Sequence, residues 1–88
     1  MPPLEQLFAL EIEYHRRLRT GAIGTVKATA LHTSYALQSG YEPLLRSVGR
    51  VTKDDLKRLV DRYIVVCDVR DVLNARDSLI SLLGLVVM

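Results

Sequence analysis

The 88-residue chain is 49% hydrophobic and 25% charged, with a formal net charge of +2 and one cysteine. A single domain of this size cannot hide so much apolar surface alone, so part of it is expected at an interface. One cysteine excludes an intrachain disulfide, and the lack of any uncharged apolar run of about 18 residues argues against a membrane-spanning helix.

Charge is unevenly placed. Residues 1–14 carry three acids and no base, residues 15–58 carry nine bases against three acids, and residues 59–88 come to −1. A basic middle between acidic ends suits nucleic acid, or pairing of the chain with a second copy of itself. The first apolar stretch holds Glu5, Glu11 and Glu13 and has no basic start, so no secretory leader is expected. Together with the lone Cys67, which the apolar run Tyr63–Cys67 favours as buried and inert, this points to a reducing, cytoplasmic setting.

Pro2-Pro3 opens the first helix, expected over residues 3–20, where a missing N–H costs nothing. Leu4, Leu7, Phe8, Leu10, Ile12, Tyr14 and Leu18 make its apolar face. Acids come early and bases late, as the helix dipole favours, and Gly21 is a natural stop. A second helix is expected over 22–39, with Lys27 the only charge between Thr20 and Tyr41. So little charge places that helix in the middle of a bundle. Ser39-Gly40-Tyr41-Glu42-Pro43 breaks the chain, and residues 43–48 read as a short helical turn.

The long segment from Thr52 to Leu83 holds most of the large apolar side chains. Thr52 and Asp55 have the spacing of a capping box. Leu56, Leu59, Val60, Tyr63, Val66 and Cys67 form an early stripe, whereas Val65, Val69, Val72, Leu79, Ile80 and Leu83 cluster roughly opposite it. As one helix the segment would run about 48 Å, against a radius of gyration near 12 Å for a domain of this length. Either it breaks near Asp68–Asp71 or a second chain covers the overhang. The early stripe is assigned to the chain's own core and the late stripe to a partner. The β-branched run Tyr63–Val69 could instead be a strand, but no partner strand is evident. Leu79–Met88 reads as a docking element, since a free tail of that composition invites aggregation.

Motifs for chemistry are sparse. Glu11 and His15 stand one helical turn apart and could share a proton or a metal. A metal needs more ligands, and the other histidine, His32, has no ligand-like neighbours in sequence. The pair is therefore expected as a polar contact across an interface. Gly21-Ala22-Ile23-Gly24 has the GXXG spacing of a loop that clamps nucleic-acid backbones, without that module's strands or basic residues. No phosphate-binding loop and no nucleophile–base–acid set can be assembled from the spacing.

The expected fold is all-α: a three-helix or four-helix bundle, or a helical hairpin with a long C-terminal helix, completed by oligomerisation as one domain. The expected role is that of a non-catalytic assembly or interaction subunit without cofactor or metal. A self-associating adaptor, a secretion-chaperone-like protein and a filament component all fit. Its partner is itself or another protein, met through Val65, Val69, Val72, Leu79, Ile80, Leu83, Leu85 and Val86. The alternative is a small dimeric nucleic-acid-binding protein using Arg16, Arg17, Arg19, Arg46, Arg50, Lys53 and Lys57 against phosphates. Without tryptophan and with a single phenylalanine, stacking on bases would contribute little.

Overall fold

Local signals place each helix end. The computed structural model describes residues 2–22 and 40–84. Among them lie four α-helices and no strand, so the fold is all-α. Beyond Ala22, the helix expected over 22–39 falls outside the described residues, as does the tail from Leu85.

Helix α1, Pro3–Arg19, begins on proline and carries Arg16, Arg17 and Arg19 in its last turn. It ends because Gly21 adopts φ 74°, a left-handed conformation that costs a residue without Cβ little. The amides of Gly21 and Ala22 then donate to the carbonyls of Leu18 and Arg17, at 3.2 and 3.0 Å. That is a Schellman closure, which satisfies carbonyls the helix leaves open. Helix α2, Tyr41–Ser47, is a two-turn piece where only a short turn was expected.

The long segment is two helices, α3 (Lys53–Tyr63) and α4 (Val69–Leu82), rather than one. The capping box forms as the spacing implies. The Asp55 amide donates to Thr52 Oγ1 at 3.2 Å, and the Thr52 amide donates to Asp55 Oδ2 at 2.9 Å. The chain leaves α3 through a turn at residues 64–67, not through a strand. Ile64, Val65 and Val66 are β-branched and crowd a preceding helical turn, which weakens the helix there. Asp68 then caps α4 by accepting the Arg70 amide at 2.9 Å.

The break resolves the two-faced pattern. With a turn between them, Leu56 and Leu59 of the early stripe and Val72 and Leu79 of the late one point into one core. Leu7, Phe8 and Ile12 from α1 meet Tyr41 from α2, Leu56 and Leu59 from α3, and Val72, Ala75 and Leu79 from α4. Helix α1 packs chiefly on α4 and also on α2, while α3 packs on α4. The Phe8 and Tyr63 rings add a tilted contact with centroids 5.7 Å apart. Each large side chain buried there contributes about 1.5–3 kcal/mol. The longest dimension is 32 Å, and among the described residues no helix approaches the length of about 48 Å that an unbroken Thr52–Leu83 segment would have.

This arrangement corrects one assignment. Val72 and Leu79 were expected to face a partner, yet both are wholly enclosed by the chain's own core. Hydrophobic periodicity marks a face that must be covered; it does not say which chain covers it.

Candidate functional site

Three features stand out on this scaffold: an apolar turn, a buried polar cluster and a set of arginine–carboxylate forks. The turn between α3 and α4 is the most exposed apolar element described. Val65 and Val66 are 79% and 75% exposed, Val69 is 45% exposed, and Ile64 is 38% exposed. Backbone bonds hold the turn firmly: the Ile64 amide donates to the Val60 carbonyl, and the Cys67 amide to that of Tyr63, both at 2.9 Å. The apolar side chains are thus displayed on a hydrogen-bonded turn. Leu82 is exposed at the far end of α4.

Of the residues expected at a partner interface, Val65 and Val69 are exposed, and Ile80 and Leu83 are half-buried against the core. Val72 and Leu79 are interior. Leu85 and Val86 lie outside the described residues. Nothing in the periodicity separated these fates.

The Glu11–His15 pair is internal rather than intermolecular. Glu11 is buried, and the Tyr41 hydroxyl donates to its Oε1 at 2.5 Å. Burial, and then this bond to a carboxylate, push the Tyr41 phenol well above its ordinary range. His15 Nε2 lies 2.7 Å from Ser78 Oγ and 3.8 Å from Glu11 Oε2. The same ring nitrogen faces hydroxyl and acid, so Glu11 does not orient the imidazole from the opposite side as a catalytic triad requires. The cluster ties α1 to α2 and α4. Tyr41 and Ser78 were not anticipated as partners, because contacts 30 and 63 residues apart leave no local signature.

Arg19 makes a two-pronged contact with Asp71, through Nε at 2.9 Å and Nη2 at 3.0 Å. Asp71 is buried, so the fork pins the end of α1 to the start of α4. Next to it, Arg70 donates to Asp68 through Nε and Nη2 at 3.0 and 2.8 Å. Those bonds hold the Asp68 carboxyl well below its usual range. His15, Leu18, Arg19, Arg70, Leu73 and Asn74 line an open groove alongside. Its two arginines already face two aspartates, which leaves little net charge for an ionic ligand.

The basic residues divide in the same way. Arg16 and Arg17 both donate to Glu13, and their hydrogen bonds, Arg16's first, lower its pKa to about 2. Arg46 donates to Glu42 at 3.1 Å. Arg50, Lys53 and Lys57 are exposed around the start of α3. Among the described residues no group of His, Cys, Asp or Glu is placed to hold a metal ion, and no helix is long and apolar enough to cross a membrane. Comparison of the chain with known protein families, characterised proteins and solved structures gives no match.

Proposed function

We propose that this chain is a non-catalytic helical interaction subunit that works by associating with itself or with another protein. The exposed Ile64–Val66 turn carries the reading. Among the described residues nine buried hydrophobic side chains form a core without it, yet three consecutive large apolar side chains stay exposed. Scattered apolar residues need no explanation, but a contiguous patch held on a bonded turn marks a surface that gains by being covered. The buried polar groups support the same view, since their contacts join helices instead of converging on an open site. A reducing, cytoplasmic setting belongs to this reading, in keeping with the single Cys67.

The test is solution mass by light scattering across a wide concentration range, alone and with added DNA or RNA. The expected result is mass that rises with protein concentration, or a defined complex with a protein partner, and is indifferent to nucleic acid. A second reading rests on one observation: Arg50, Lys53 and Lys57 lie exposed near one another in sequence, and no ion pair reaches Arg50 or Lys57 among the described residues. Phosphate contacts from such residues would give weak binding that falls steeply with salt. Tight binding that survives high salt would favour nucleic acid over protein association.

A further inference from the structure

We infer that His15 makes the α1–α4 junction sensitive to pH: the junction is tighter with a proton on the imidazole than without it. The position of the ring carries this. The His15 side chain is 17% exposed, and its Nε2 lies 2.7 Å from Ser78 Oγ on α4 and 3.8 Å from Glu11 Oε2, one turn back on α1. Glu11 is 1% exposed. A carboxylate taken out of water is costly without a counter-charge, and the His15 imidazolium supplies one at that distance. Proton uptake also fixes the sense of the bond to α4. With both ring nitrogens protonated, Nε2 can only donate, and the Ser78 hydroxyl oxygen accepts.

The other ionisable groups around the ring oppose this little. On α1, Tyr14 meets His15 edge-on, and burial, then Glu11, push its phenol up, so it carries no charge near neutrality. From α2, Tyr41 reaches the pair through Glu11 and is held protonated by burial and that contact. Arg19 of α1 and Arg70 of α4 line the groove beside His15, but each is forked to an aspartate, Asp71 and Asp68. Residues 23–39, outside the described residues, hold Lys27, His32 and Tyr35 as ionisable side chains. The sign follows from linkage. A histidine that binds its proton more tightly in the folded chain stabilises the fold fully below its unfolded value of about 6.5, and the contribution is lost as pH rises through the folded value.

The experiment follows the His15 ring by NMR in the full chain from about pH 5 to about pH 9, folded and in concentrated urea, with His32→Asn to tell the two histidines apart. The expected result is a roughly tenfold tighter hold on the proton in the folded chain, which shows as a titration midpoint about one pH unit higher than in urea. Glu11→Gln should remove most of that difference. Where Glu11→Gln does not fold, His15→Gln decides, since it keeps a neutral amide in reach of Ser78. The wild type should be the more heat-stable of the two at about pH 6, and the gap should close towards about pH 9. A His15 ring that titrates at the same pH folded and unfolded overturns the inference. So does a gap to His15→Gln that stays level across the range. A folded Glu11→Gln variant in which His15 titrates as in the wild type overturns the ion pair as its cause.

Discussion

Val65 and Val72 are the same residue seven positions apart, and the sequence periodicity puts them on one stripe. In the fold they have opposite surroundings: Val72 has no exposed surface, and Val65 is almost as open as in an extended chain. The difference lies in the turn between them. Up to Tyr63 the chain is a helix whose inner face is set by Leu56 and Leu59. After Asp68 a new helix starts with its own phase, and Val72, Ala75 and Leu79 point inwards. Val65 and Val66 belong to neither helix. Apolar character alone therefore does not make a core residue; the phase of the helix that carries it decides.

The largest effect tests that contrast directly. Val72→Asp is expected to unfold the chain, because an unpaired carboxylate in an enclosed apolar site costs several kcal/mol, comparable to the whole stability of a small domain. Leu59→Asp should do the same. Val65→Asp, at an exposed position, should leave helicity unchanged and the free energy of unfolding in urea within about 0.5 kcal/mol of the parent. Far-UV circular dichroism of the three variants decides it; native helicity in Val72→Asp would return that residue to the partner-facing role.

A smaller effect separates the buried polar contacts from the surface ones. Tyr41→Phe removes the hydroxyl that donates to the buried Glu11 carboxylate while keeping the ring in the core. A hydrogen bond to a charged group contributes about 1.5–3 kcal/mol, so a loss in that range is expected in urea unfolding. A change of only a few tenths would mean that the Tyr41–Glu11 contact does not matter to stability. Lower still stands Thr52→Ala, which removes the side-chain half of the α3 capping box and should cost about 1 kcal/mol. Thr52→Ser keeps the hydroxyl and should recover most of that loss. If Ser and Ala behave alike, the box contributes nothing at this helix start.

These effects also sort what could be read in advance. The all-α class, the start of α1 at Pro2-Pro3, its stop at Gly21 and the Thr52 box depend on neighbouring residues only, and all were legible. The change of apolar phase allowed either a break near Asp68–Asp71 or one long helix covered by a second chain; the segment does break, but not there. The break falls at Ile64–Cys67, where β-branched residues weaken the helix and Asp68 stands ready to cap the next. The assignment of Val72 and Leu79 to a partner failed because a break lets two opposite stripes share one core. Glu11 and His15 were expected to meet a partner across an interface, but Glu11 accepts from Tyr41 of its own chain, 30 residues on. No spacing rule reaches across a fold, so the Arg19–Asp71 fork was equally invisible.

The smallest effect concerns the surface end of the comparison between buried and exposed polar contacts. Glu13 accepts from both Arg16 and Arg17 within α1, and its pKa falls to about 2 from an ordinary 4.5. A carboxyl depressed in the folded state stabilises that state fully above its unfolded value. The contribution is lost as pH drops from about 4.5 towards 2, where the folded group also takes up its proton. About a third of the side chain is exposed, so water and salt screen most of the apparent gain. Glu13→Gln should therefore lower the thermal midpoint only slightly at pH 6. The gap between the two proteins should close as the pH approaches 2, and it should shrink in 1 M salt. Comparing the two proteins at each pH removes the shared titration of Asp55 and Asp68, whose carboxyls are also held low. A gap that stays constant down to pH 2, or widens there, would show that Glu13 acts through something other than its charge, such as packing of its methylenes along α1.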